Sequence, residues 1–226
     1  MKKILVPVDF NPLATAALQY AAQFAERSGA ALIVMYADTF EPPAEFTAVQ
    51  TADLVASIED SRRRTAQELE RYAHEHVAES LALQTEVRDA LPVPAILAAI
   101  DEHAPDLLVM GTHGRGGLSR LVYGSVTEAV LRKTKTPVLT INRVDAVRPP
   151  RSILCVVTGN EPSDAPQRTA AEVAEMFGAQ CRTVRADILT SPAAATADLI
   201  VIGEESRAIT RHAPCPVLHV SSGVSA

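Results

Sequence analysis

The chain has 226 residues, nearly half of them apolar, with a formal charge of −6, few aromatics and no tryptophan. That length allows one large or two small domains whose interior alanine, valine and leucine must fill. The acidic balance argues against a general nucleic-acid binder, which presents a basic face, and no apolar run approaches the ~20 residues of a membrane span. Met1-Lys2-Lys3 leads straight into a short apolar strand, so no signal peptide is expected and the location reads as cytoplasmic.

Lys3 to Asp9 form the first predicted strand. Asn11 and Pro12 punctuate its end, Pro12 being suited to the first position of a helix. Ala14, Ala17, Leu18, Ala21, Ala22 and Ala25 then recur at helical spacing, and Gly29 stops that helix. Residues 31–36 are a second strand. Pro42-Pro43 makes 37–50 a loop over one rim of a sheet. A long helix is predicted over 51–79, with Leu54, Ile58, Leu69, Tyr72 and His76 along its apolar stripe. Arg62-Arg63-Arg64, the densest basic run, reads as a solvated helix face. His74 and His76 are two apart and do not face one another as metal ligands would. A third strand (81–88), a helix (94–103, opened by Pro94), a fourth strand (107–110), a helix (125–133) and a fifth strand (137–141) follow. Strands alternating with helices imply a parallel sheet covered on both faces, an α/β fold.

Between the fourth strand and its helix, four glycines crowd into residues 111–117, and Gly124-Ser125 follows. A strand, a glycine loop and a helix start can hold an anion, because glycines let backbone N–H groups turn inward and the helix start adds free donors. A tight surface loop is the bland alternative. Ser125 is expected as the helix N-cap, with Glu128 three residues on completing a capping box; its hydroxyl can instead reach a phosphate oxygen. There is no G-x-x-x-x-G-K-[ST] loop, and no glycine fingerprint after the first strand of the kind a dinucleotide site uses.

This stretch resembles the ATP-binding branch of the universal stress protein family. Two residues separate Gly111 from Gly114, nine separate Gly114 from Gly124, and Ser125 closes the motif. The opening Lys3-Ile4-Leu5-Val6-Pro7-Val8-Asp9 and the late Thr136-Pro137-Val138-Leu139 are similar to the family as well, so the resemblance spans residues 1–143. It implies an open five-stranded parallel sheet in the order 3-2-1-4-5, helices on both faces, and ATP, with or without magnesium, as ligand. By resemblance Gly111, Gly114, Arg115, Gly124, Ser125 and Val126 surround the phosphates, with Arg115 either touching them or left in solvent. Asp9 faces the adenosine end, or else caps the turn that follows it. Pro7 and Val8 shape the base side, and Val34 matches a position whose backbone serves adenine. His113, inside the loop, has a structural or ligand-lining role in preference to general base. The sequence departs from the family's V-x-x-G phrase: Val87-Arg88-Asp89-Ala90 puts a side chain near the glycine position, which is expected to narrow the ribose site.

After a linker ending in Pro149-Pro150 the chain starts again. Ile153-Leu154-Cys155-Val156-Val157 echoes the first strand, a helix is predicted over 165–177 ending near Gly178, and residues 180–185 echo the second strand. Asp198-Leu199-Ile200-Val201-Ile202-Gly203 repeats Asp106-Leu107-Leu108-Val109-Met110-Gly111, and Pro216-Val217-Leu218 repeats Pro137-Val138-Leu139. The internal repeat is shortened: the glycine loop, the long helix and the third strand have no counterpart, and Thr158 stands where Asp9 does. Residues 1–143 are therefore expected to be a nucleotide-binding domain and 151–221 a truncated repeat unable to hold a triphosphate. The resemblance implies pairing of last strands, here within one chain, 138–141 meeting 217–220; two chains can still associate further as a homodimer. Cys155, Cys181 and Cys215 show no metal or redox spacing and are expected to be buried free thiols.

The leading expectation is an ATP-binding stress or regulatory protein acting through conformation or partner binding. A non-nucleotide scaffold for a protein partner and a weak ATPase are the alternatives; no dedicated catalytic group is expected.

Overall fold

The computed structural model describes residues 1–39, 48–112, 124–157, 164–185, 196–203 and 213–221, with the backbone alone for 48–57 and 146. Its order is β1 (Lys3–Val8), α1 (Pro12–Ser28), β2 (Ala31–Asp38), α2 (Ala48–His76), β3 (Leu83–Asp89), α3 (Pro92–His103), β4 (Leu107–Gly111), α4 (Ser125–Lys133) and β5 (Val138–Ile141), then β6 (Ser152–Val157), α5 (Ala165–Phe177), β7 (Gln180–Arg185), β8 (Leu199–Ile202) and β9 (Val217–His219).

Local chemistry sets several boundaries. Asn11 is extended and its side chain accepts the Ala14 N–H at 2.8 Å, capping α1, while Pro12 fills the first turn without wasting a donor. Gly29 and Gly178 close α1 and α5 in the left-handed region, at φ 70° and 63°, where a side chain is strained. The helix after β3 opens at Pro92, not Pro94, and α2 stops at His76, three residues short of the expected end. Its buried residues include Leu69 and Ala73, with Tyr72 at the margin and Val77 buried just past its end.

The nine strands form one sheet in the order β3-β2-β1-β4-β5-β9-β8-β6-β7. The first five follow the expected 3-2-1-4-5 order and run parallel. A smaller β/α unit then repeats the order in reverse, from β9 through β8 and β6 to β7, with no third strand among the described residues. The halves meet where β5 pairs antiparallel with β9, Val138 opposite His219, Leu139 opposite Leu218 and Thr140 opposite Val217. At this buried seam the Thr140 hydroxyl donates to the Val217 carbonyl at 3.1 Å and lies 3.3 Å from His219 Nε2, and Asn142 Nδ2 donates to the Ala213 carbonyl. Pairing the two last strands removes two sheet edges at once.

On one face, α1, α2 and α5 cover a core that runs across the seam, from Ile4, Val6 and Val34 to Cys155, Val201 and Leu218. Alanines dominate the buried side of α1, so the helix lies close to the strands, and Phe24 meets Phe177 of α5 edge to face at 4.9 Å. On the other face α3 and α4 cover Leu5, Ile33, Met35, Leu108 and Met110, and a separate cluster holds Leu154, Val156, Ile200 and Val217. Cys155 and Cys215 are buried, and burial pushes the Cys215 thiol up to about 12. Cys181 departs from expectation: it is exposed, on the outermost of the described strands.

The other outer strand, β3, carries a partly buried network. Glu86 accepts from Arg88 Nε at 2.8 Å and lies 2.9 Å from His103 Nε2, while Arg88 also reaches Glu102. Burial by itself would raise the Glu86 carboxyl, but the Arg88 and His103 contacts outweigh it and hold it below its ordinary value of 4.5. Because the folded value is the lower one, this stabilisation is complete above the ordinary value and is lost as pH falls through the folded one. Glu86→Gln is therefore expected to cost about 1–2 kcal/mol at neutral pH and to flatten the loss of stability on acidification. Urea titrations over a pH series measure both, and an acid profile identical to wild type contradicts the assignment.

Candidate functional site

The two strands at the centre of the first half are tied at one end and part at the other. At the start, Asp106 accepts the backbone N–H groups of both Lys2 and Lys3, the latter at 3.0 Å. The β1–β4 ladder then runs only through Ile4–Leu107 and Leu5–Leu108, whereas β1–β2 continues to Val8–Tyr36. Among the described residues no further β1–β4 pairs follow, and this end of the two strands lies where the strand order reverses, the place at which open α/β sheets form a ligand crevice.

Gly111 ends β4 on this crevice, and α1 explains why it is glycine. A Cβ there would stand 3.1 Å from Leu13 Cβ and 3.2 Å from the Leu13 carbonyl carbon, so a side chain would push the first turn of α1 off the sheet. Thr112 follows, almost wholly buried, its N–H donating to the Ile141 carbonyl at 2.9 Å and its own carbonyl accepting from Gly124. That last bond joins the two residues bracketing 113–123. His113, Gly114 and Arg115 lie outside the described residues.

The helix start differs from expectation. Gly124, not Ser125, is the N-cap of α4: its carbonyl accepts the Glu128 N–H at 3.0 Å, and no side chain caps the turn. Ser125 is the first helical residue and the capping box does not form; Glu128 instead pairs with Arg132 one turn on. With no capping side chain, the first-turn N–H groups at Ser125 and Val126 keep the donors and partial positive charge that suit an anion. Thr127 fixes the helix against the strand: it is buried, and its hydroxyl donates to the Gly111 carbonyl at 3.0 Å.

Opposite, Asp9 follows β1, half-buried. Its carboxylate accepts both the Asn11 backbone N–H at 3.3 Å and Asn11 Nδ2 at 2.9 Å, so it does hold the turn into α1. Between them Phe10 adopts φ 62°, the left-handed region that costs a bulky residue about 1 kcal/mol or more. Its ring packs on Tyr36 at 4.9 Å and on Tyr72 at 5.0 Å, and Tyr72 is hydrogen bonded to Thr15 at 2.8 Å. Burial raises the Tyr72 hydroxyl, and the Asp9 charge adds to that rise against the Thr15 bond.

The structure therefore gathers Pro7, Val8, Asp9, Gly111, Gly124, Ser125 and Val126 at the C-terminal ends of β1 and β4. Val34 is elsewhere: it sits mid-strand opposite Val6 and Thr85, wholly buried, two positions short of the level of Val8. Asp89 pairs with Arg62 of α2, so its side chain is drawn to the α2 side. Sequence reasoning passed over Leu13, Thr112 and Thr127; the only signal for the last two was polar side chains flanking an apolar strand and a glycine-rich turn. Among the described residues no cluster of three or more acidic, histidine or cysteine side chains could hold a metal by itself, and no helix is long and apolar enough to cross a membrane.

Comparison with known proteins settles the family. The model of the universal stress protein family matches residues 1–142. The chain belongs to that family. A universal stress protein of Methanocaldococcus jannaschii is 26% identical over 143 residues, 63% of this chain and 82% of that protein. One from Thermus aquaticus, named for the region beside a sulfhydrylase, is 34% identical over 147 residues, covering 62% of this chain and 98% of its own. A solved universal stress protein of Archaeoglobus fulgidus covers 98% of both chains with a TM-score of 0.66 at 16% identity, so the likeness of fold extends over the smaller second unit as well.

Gly111→Ala is expected to lower stability by about 1–3 kcal/mol through overpacking against Leu13, and Leu13→Gly, which removes the Cβ it would meet, to relieve part of that loss when the two are combined. Thermal unfolding of both single variants and the double variant measures the coupling; strictly additive losses contradict a direct contact.

Proposed function

We propose that the chain is an ATP-binding regulatory protein of the stress response, with one nucleotide site, in residues 1–143, and a truncated repeat over 151–221 that holds no triphosphate. The observation that carries this reading is the α4 N-terminus, capped by a residue without a side chain, at the end of β4 where the strand order reverses. An anionic tail laid there meets main-chain donors at Ser125 and Val126 and, by the motif, those of the loop holding His113, Gly114 and Arg115. The Ser125 side chain is not consumed by capping and is available to a phosphate oxygen. Asp9, oriented by the Asn11 amide, is placed for a ribose or base hydroxyl or amine; magnesium, when bound, would neutralise phosphate charge that a nearby carboxylate repels. Pro7 and Val8 form the wall behind it, with Val34 supporting that wall from the core. The pairing of Asp89 with Arg62 supports a ribose side that the carboxylate at the family's glycine position does not block. The second half has no sequence counterpart of the glycine loop, so it lacks the donors.

Calorimetric titration with ATP and magnesium tests this reading. One site per chain is expected, weakened by ~10-fold from Ser125→Ala, the loss of one charge-assisted hydrogen bond, and abolished by Gly114→Asp, which sets a carboxylate among the phosphates. Gly114 is preferred to Gly111, whose substitution disturbs α1. A second stoichiometric nucleotide refutes the division of labour between the halves; no heat of binding, with no nucleotide co-purifying, leaves the scaffold reading in its place.

A further inference from the structure

Among the described residues the second half repeats the first with one strand fewer. In the first half β2 lies between β1 and β3 and is bonded on both sides. Its counterpart β7 pairs with β6 over six residues and is the outermost of the described strands. Five of its residues, Gln180, Cys181, Arg182, Thr183 and Arg185, are exposed, and only Val184 is half-buried.

The direction of the open backbone groups follows from one bond. Gln180 donates its N–H to the Arg151 carbonyl of the neighbouring segment, so Gln180, Arg182 and Val184 face β6. Alternation then turns the N–H and C=O groups of Cys181, Thr183 and Arg185 outward. These outward groups form a regular half-ladder, the template for an added strand.

Charge says what kind of strand fits. Most described arginines are matched within the chain: Arg62, Arg63, Arg64, Arg71, Arg88, Arg132, Arg143, Arg148 and Arg168 each have an acidic partner, and Arg27 lies over Phe177. Arg182 and Arg185, on opposite faces of β7, have no ion-pair partner among the described residues, nor has the side chain of Arg151 beside them. The edge is thus locally basic in a chain whose net charge is −6. A second copy pairing here would bring four of these β7 arginines into one patch, which like-charge repulsion opposes.

We propose that the β7 edge is a docking strand for an extended acidic segment of a protein partner, which joins the sheet in the place of the third strand that this half lacks. Outward main-chain groups at Cys181, Thr183 and Arg185 supply the ladder. Arg182 and Arg185 select acidic side chains, one above and one below the sheet.

Amide hydrogen exchange of the full chain, followed by NMR, tests this with two eight-residue peptides, one alternating glutamate with threonine and the other alternating lysine with threonine. The Cys181, Thr183 and Arg185 amides are expected to exchange freely in the chain alone and to slow by at least ~10-fold with the glutamate peptide only. Those of Gln180, Arg182 and Val184, already bonded to β6, change little. Thr183→Pro removes one outward donor while leaving the bonds to β6 intact; it is expected to abolish the protection with an unchanged unfolding midpoint. Arg182→Glu combined with Arg185→Glu is expected to shift the preference to the lysine peptide. An equal response to both peptides, a response to neither, or protection in the free chain that grows with its own concentration, the mark of a second copy at this edge, overturns the proposal.

Discussion

A single carboxylate sets up the crevice. Asp106 binds the first two N–H groups entering β1, so β1 and β4 are pinned together at their beginnings. Partial burial alone would raise this carboxyl; the two main-chain donors outweigh it and hold it below the ordinary range. Their paired register ends at Leu5 and Leu108, and α1 packs over both strands. That helix can come close because Gly111 has no side chain to meet Leu13. Thr127, bonded to the Gly111 carbonyl, brings the α4 start to the same point. The pin, the missing side chain and the buried hydroxyl determine where an anion could be met.

The same pin appears in the second half. Asp198 accepts the N–H groups of Arg151 and Ser152 at 3.0 and 3.1 Å, as Asp106 does for Lys2 and Lys3. The halves therefore share the device that starts the sheet and differ in what is built beyond it. One has a third strand and a long covering helix; in the other, β7 has no strand on its outer side among the described residues. Loss of the covering elements also explains the exposure of Cys181, which sits at the position Leu32 occupies in β2, one residue after its start.

Much of this was legible in the chain because the signals are local. Asn11-Pro12 before an alanine-spaced run, and Gly29 and Gly178 after one, marked helix ends through capping and backbone freedom, and each was found in place. Strand order was not legible from alternation alone; it came through resemblance. The failures share a cause, dependence on partners distant in sequence or on atoms no composition reveals. Ser125 looks like a cap, but the cap is decided by which carbonyl accepts the Glu128 N–H, and that is Gly124's. Of the site itself, Asp9 and the glycines flanking the loop were readable as a motif; the contacts that place them, through Leu13, Thr112 and Thr127, were not.

The antiparallel junction of β5 with β9 has a consequence for how this molecule behaves in dilute solution. Two separate chains joined through such strands come apart as they are diluted and can exchange partners with relatives. Here the linker makes the encounter intramolecular, at an effective concentration that does not depend on how much protein is present. The first half thus keeps one permanent neighbour, since the β5 edge is already taken by β9 of the same chain.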